Sequence, residues 1–304
     1  MLHEVFYWLL SMSISAVITG IFVLLVRSIK KIPKRITVIL WLVPFIRMAI
    51  PVGLNGNHNL MSLISKITTR SIKVYQPTNH ISVSMMNMTT LADSYFPVTY
   101  GSVVLEKIFS VSSIIWITVF IAIVLILAII YFSTLHEIKD SVHMRDNIYF
   151  STKITSPAVY GIIRPKIILP ESYSDKDIEL ILLHERTHIK RRDNLWRVIA
   201  VLITAVHWFN PFAWIFLKMF LNDLELSCDE CVIAKSGADR IKEYAYQLVE
   251  NKRSSNIFAS AFSGGRTRKR IENILSFKKM TYFSATVFVL FITALLYVLL
   301  TNPR

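Results

Sequence analysis

The chain is divided by long apolar runs that alternate with polar and basic stretches. Residues 5–26 carry no charged side chain across 22 positions, enough to cross a bilayer core of about 30 Å, and predict a first transmembrane helix. Residues 36–54 predict a second, interrupted by Pro44, Arg47 and Pro51. An arginine at that depth costs a few kcal/mol, so Arg47 is expected to face the interior of a helix cluster or a watery cavity. Residues 110–132 and 281–300 predict the third and fourth spans. The loop between the first two, RSIKKIPKR, holds five basic residues and belongs on the cytoplasmic side by the positive-inside rule. Both termini then lie outside, residues 55–109 form an extracellular loop, and residues 133–280 lie in the cytoplasm. The Asn87-Met88-Thr89 sequon in that loop is too short a pattern to carry weight.

Within 133–280 the pattern changes. Residues 147–172 alternate β-branched and aromatic side chains with Pro157, Gly161, Pro165 and Pro170, and predict two or three short strands. An edge strand here could hold an extended peptide by main-chain pairing. The stretch SDKDIELILL then predicts a helix, with Ser174 as N-cap, Asp175 and Asp177 in the first turn, and Ile178, Ile181 and Leu182 at helical spacing. Further on, Val198–Leu217 has 20 residues without an acid, Lys or Arg, yet it contains His207 and an Asn210-Pro211 break. This predicts a hairpin of two helices near 195–221, buried in or dipping into the membrane without crossing it. The fold class is thus a mainly α membrane protein with four transmembrane helices. A cytoplasmic α+β domain, 133–251, sits between the third and fourth, followed by a basic juxtamembrane linker, 252–280.

The chemistry concentrates in HERTH. His184 and His188 are four apart, so on a helix their side chains lie about 6 Å apart on one face and both imidazoles can reach one metal ion. Glu185, rotated by about 100°, falls beside that ion, free to act as general base on water activated by zinc. In a chain of this composition an HExxH arises by chance about once per hundred sequences, so its position on a well-signalled helix matters. Two histidines leave a catalytic zinc one protein ligand short. NDLELSCDECVIAK supplies Asp223, Glu225, Asp229 and Glu230. Glu225 and Asp229 share a helical face, so one can bind metal while the other supports a ligand imidazole. Glu230, the alternative ligand, points about 140° away from Glu225.

Composition narrows the class. Hydrophobic residues make up 53% of 304, mean hydropathy is +0.49 and the formal charge is +14, which suits an integral membrane protein facing anionic lipid. Of 34 Lys and Arg, 23 fall between 134 and 280, without the interleaved aromatics of a nucleic-acid surface, so no direct nucleic-acid binding is expected. Cys228 and Cys231 form a CxxC that reads as a free-thiol pair in the cytosol, with too few partners for a separate zinc site.

Four motifs in order, SPAVYGIIRPKIILPES, HERTHIKRRDNLWR, HWFNPFAW and ELSCDECVI, resemble the beta-lactam-sensing antirepressor transducers of BlaR/MecR type, integral-membrane zinc metallopeptidases of the gluzincin kind. The resemblance spans essentially the whole chain. It implies His184, His188 and Glu225 as zinc ligands, Glu185 as general base and Asp229 in support. It also implies a cytoplasmic winged-helix repressor as substrate in an antibiotic or envelope response, and self-cleavage in the linker, for which Ser276-Phe277 is the chosen bond. The sensor members continue into an extracellular penicillin-binding domain, whereas this sequence stops at Arg304, so sensing is assigned to residues 55–109, a separate sensor protein or a missing C-terminus. Self-association as a homodimer is a further expectation. His207 is the candidate oxyanion or substrate contact, against a packed histidine, and the basic run 266–270 reads as a solvated stretch beside lipid. The rival readings are a membrane quality-control HExxH metallopeptidase and a non-catalytic signalling scaffold.

Overall fold

The computed structural model describes residues 2–29, 32–50, 54–55, 103–171, 178–253, 267–276, 286, 290–291 and 301–302. Helix α1 (Leu2–Arg27) and helix α2 (Lys34–Ala49) pack as a hairpin. Helix α3 (Val103–Glu137) is about 52 Å long at 1.5 Å per residue. Among the described residues, two helices are long and apolar enough to cross a membrane: α1, and α3 from Lys107 onward. Helix α2 has 16 residues and spans about 24 Å. Most of the expected extracellular loop and of the fourth span lies outside the described residues, as do Ser174, Asp175 and Asp177. Leu54–Asn55 pairs in parallel with Thr301–Asn302.

The two membrane-grade helices differ in what covers them. Ala16, Thr19, Gly20 and Val23 of α1 are buried against protein, whereas Ile115, Leu125, Ile129 and Phe132 of α3 are each more than half exposed. An apolar face of that length, uncovered by other described residues, is suited to lipid. Trp116 fixes α3 to the rest: its ring packs on Phe6, and its Nε1 donates to the Val206 carbonyl at 2.8 Å.

The apolar run 198–217 folds back on itself. Helix α5 (Asp193–Val206) ends at His207, and helix α6 (Pro211–Ser236) begins four residues later. Asn210 caps α6, its side chain accepting from the Phe212 N–H at 2.9 Å, with Pro211 supplying the preset φ of the first helical position. His207 and Asn210 both bond Ser13, and His207 also bonds the Met48 carbonyl, so the turn is tied to α1 and α2. Phe216 and Phe220 pack on Trp41 and Phe45. Gly20 lies so close to this layer that a Cβ there would meet the Phe216 ring at 2.1 Å.

Helix α6 anchors the hairpin through two of its acids. Asp223, fully buried, accepts from Arg27 Nε and Nη2 at 2.6 and 3.0 Å and from Trp41 Nε1 at 2.8 Å. One turn pair further on, Glu230 accepts from the backbone N–H groups of Lys34 and Arg35 at 2.9 and 3.4 Å, covering the start of α2, where unpaired N–H groups favour a carboxylate.

After α3 the chain adds a four-stranded mixed sheet. Strands β1 (Val142–Arg145), β2 (Ile148–Ser151), β3 (Ala158–Tyr160) and β4 (Lys166–Pro170) lie in the order β1-β2-β4-β3. Only β2 and β4 run parallel, and β3 is an edge strand. Ile167, Ile168 and Leu169 of β4 are wholly buried, and Ile167 and Leu169 join Ile148 in packing against Ile178, Ile181 and Leu182 of helix α4 (Ile178–Arg191). On its other side α4 places Leu180 against Val232, Ile233, Tyr244 and Ile274. Those partners come from α6, from helix α7 (Ile241–Arg253) and from helix α8 (residues 267–275). The HERTH helix is therefore clamped between sheet and helices.

Removing one member of a buried ion pair strands the other, so Asp223→Ala is expected to lower stability by about 3 kcal/mol. The Arg27→Ala/Asp223→Ala double variant should lose less than the sum of the single changes. Thermal unfolding in detergent micelles checks both.

Candidate metal centre and active-site cleft

Clamped on two sides, α4 leaves His184 and His188 at its seam with α6, 8% and 5% exposed. Their Nε2 atoms face each other at 3.0 Å, with the ring planes at 88°. Behind each ring stands a carboxylate. His188 Nδ1 bonds Asp193 Oδ2 at 2.6 Å. His184 Nδ1 bonds the Tyr244 hydroxyl at 2.8 Å, and that hydroxyl donates to Asp229 Oδ1 at 2.7 Å. Such acceptors draw the ring proton onto Nδ1 and leave the Nε2 lone pair for a metal.

Two lone pairs meeting at 3.0 Å repel unless a proton or a cation sits between them. Burial opposes a positive charge on His184, yet the Cys228 sulfur and the Glu225 carboxylate raise its pKa. Burial likewise opposes charge on His188, where Asp193, Cys228 and Glu225 raise it. Without metal, the pair therefore holds a proton at neutral pH. Glu225 faces it, Oε2 3.7 Å from His184 Nε2 and Oε1 3.7 Å from His188 Nε2. At zinc–nitrogen and zinc–oxygen lengths near 2.0–2.1 Å, ligand atoms around a tetrahedral ion lie about 3.3 Å apart. The observed 3.0 and 3.7 Å bracket that value, so the residues fit zinc with small adjustments. Cys228 Sγ also lies within 4.8 Å of ligand nitrogens on both histidines.

The centre opens into a cleft of about 390 Å³. Residues 156–159, running into edge strand β3, line it together with Gln247 and Arg270. Glu185 lines the cleft beside the two histidines, 8% exposed. Arg197 pairs with Glu225 Oε1 from the α5 side. Arg270 donates to both Asp229 oxygens at 2.8 and 2.7 Å, and its Nη2 lies 3.5 Å from His184 Nε2.

Of the residues singled out from sequence, His184, Glu185, His188, Glu225 and Asp229 are brought together here. His207 is not. It is wholly buried at the turn before α6, and its ring is spent on Ser13 and on the Met48 carbonyl, which can only accept, so Nε2 carries the proton. It lies outside the cleft lining and ties the turn to Ser13 and Met48. The basic run is corrected in part: Arg268 is exposed, but Arg270 turns inward onto Asp229. Glu230, the alternative ligand, faces α2 instead. Ser276 is exposed at the end of α8, while Phe277 lies outside the described residues.

Sequence reasoning missed Asp193, Tyr244, Arg197 and Arg270. Asp193 is five residues after His188 and would lie off the ligand face of a continuous helix. Arg192, at φ 56° and ψ 38°, breaks the helix in the left-handed region and turns Asp193 back toward the imidazole. The rest arrive from α5, α7 and α8 without a local signal.

The profile of the BlaR1 peptidase M56 family matches residues 7–274. Over 180 residues the chain is 31% identical to the regulatory protein BlaR1 of Bacillus licheniformis, a match covering 54% of this chain and 30% of that protein. Over 90 residues it is 38% identical to the methicillin resistance mecR1 protein of Staphylococcus aureus, covering 28% and 15%. It is 26% identical over 150 residues to BlaR1 of Staphylococcus aureus, covering 46% and 25%. The chain thus spans less than a third of the length of these relatives.

Asp193→Asn is expected to weaken zinc affinity about 10- to 100-fold while leaving the fold intact, as measured by chelator competition. Because the raised histidine pKa means a proton must leave for metal to enter, wild-type affinity should rise about tenfold per pH unit through neutrality. Titrations at pH 6.5 and 7.5 check the sign: an affinity flat in pH would show the histidine pair to be unprotonated.

Proposed function

The chain belongs to the BlaR1 peptidase M56 family, and from that premise we propose that it is a membrane-embedded zinc endopeptidase acting in transmembrane signalling. The observation that carries the reading is the pair of carboxylate-backed histidines with a Glu225 oxygen 3.7 Å from each Nε2, beside an open cleft. His184, His188 and Glu225 would hold zinc, which when bound supplies Lewis-acid activation of water and of the scissile carbonyl. Glu185 takes the proton from the attacking water and later hands it to the leaving amine. Asp193, with Asp229 acting through Tyr244, keeps the imidazoles in register. Arg270 and Arg197 supply positive charge where the carbonyl oxygen becomes negative, the role for which an oxyanion partner is needed. An extended peptide would lie beside residues 156–159 as an added strand.

The substrate of this reading is a cytoplasmic winged-helix repressor whose cleavage derepresses a resistance or envelope gene set, with the Ser276-Phe277 bond as a self-cleavage site. The protein sits in a bacterial plasma membrane as a multi-pass chain, with its active site at the cytoplasmic face and both termini outside. A homodimer and a separate sensor are its assembly partners. The exposed apolar face of α3 supports a place in the bilayer.

Glu185→Gln should keep about one zinc per chain yet cut proteolysis of a co-expressed repressor, and of the 252–280 linker, by at least about 100-fold. Immunoblotting of repressor and linker fragments, with metal analysis of the same preparations, checks this. Equal cleavage by both chains would end the peptidase reading.

A further inference from the structure

The CxxC pair does not act as a pair. Cys231 is half-buried and lies beside Arg191, whose Nη1 is 3.9 Å from its sulfur, on the side of α6 turned from the cleft. Cys228, wholly buried, lies three residues after Glu225 and one before Asp229, on the face of α6 that meets HERTH. Its sulfur makes one weak contact with the His184 carbonyl at 3.6 Å and stands within 4.8 Å of a ring nitrogen on each of His184 and His188.

We propose that Cys228 is an inner-sphere thiolate ligand, so that the resting metal centre is His184, His188, Glu225 and Cys228. This rests on the zinc reading above and extends it. Around a tetrahedral zinc with Zn–N near 2.05 Å and Zn–S near 2.3 Å, nitrogen and sulfur lie about 3.6 Å apart. The sulfur therefore has at most about 1.2 Å to close, which a χ1 rotation of the cysteine together with small shifts of the imidazoles covers. Glu225, by contrast, is held from outside by Arg197 and Arg270 and offers one oxygen to each imidazole. The thiolate reaches the ion from the buried side and the carboxylate from the cleft side, completing two nitrogens, one oxygen and one sulfur, a donor set that suits zinc and cobalt. The one proton that the histidine pair and the Cys228 sulfur share in the metal-free cluster is released to solvent as the metal–sulfur bond forms. Four protein donors close the coordination sphere, so one must be displaced before water can bind at the centre.

The test uses the full chain in detergent, stripped with chelator and loaded with Co²⁺ alone, and read by absorption. Wild type should show a thiolate-to-cobalt charge-transfer band in the near ultraviolet together with visible d–d bands. Cys228→Ser should lose the charge-transfer band and keep the d–d bands at the same cobalt stoichiometry, while Cys231→Ser keeps both. Zinc-edge X-ray absorption on unmodified protein gives the same answer if the serine variant fails to fold, through a sulfur scatterer at about 2.3 Å. Bound cobalt with d–d bands alone, or a shell of nitrogen and oxygen only, overturns the thiolate and leaves the zinc peptidase standing. A charge-transfer band that disappears in Cys231→Ser rather than Cys228→Ser also overturns it. A chain that binds neither metal defeats both readings.

Discussion

Helix α6 is the constraint on which the rest of the molecule depends, because its acids serve two opposite neighbours. Asp223 and Glu230, seven residues apart on one face, hold Arg27 and the start of α2. Glu225, Cys228 and Asp229 share the other face and meet HERTH and Arg270. At 3.6 residues per turn these two sets can occupy one helix only if it stays straight and in register. The candidate centre and the helical hairpin are thereby fixed relative to each other, since α6 cannot shift against either without breaking charged contacts at low exposure.

The parts of this arrangement governed by local periodicity were legible in the sequence. Apolar spacing and HERTH placed both histidines on one face of a helix, and rotation of 100° per residue separated Glu225 from Glu230. The break at Asn210-Pro211 marked where an otherwise span-like run turns back, because proline removes a donor and asparagine caps the next helix. Contacts made at long range were not legible. Asp193 depends on a left-handed residue that a basic run such as Lys190–Arg192 does not announce. Tyr244 and Arg270 reach Asp229 from segments 15 and 41 residues away, and only packing of Ile274 and Tyr244 on Leu180 brings them there. His207 has the chemistry of a catalytic group and the surroundings of a structural one, a distinction that sequence alone does not draw.

The place of Arg270 changes the meaning of the segment that bears it. A basic run beside a membrane is ordinarily a patch for anionic lipid. Here one member of the run is withdrawn into the centre, while Arg268 stays in solvent paired with Glu272. The stretch that carries Arg270 lines the cleft, and the polar network around Asp229 is incomplete without it.

The close seating of Gly20 under Phe216, with Ser13 bonded to the turn at His207 and Asn210, has a practical consequence for anyone dissecting the protein. The first helix is interior structure and not an interchangeable anchor. Exchanging it for a generic hydrophobic leader, or trimming it to obtain a soluble fragment, would remove the surface against which α6 is built.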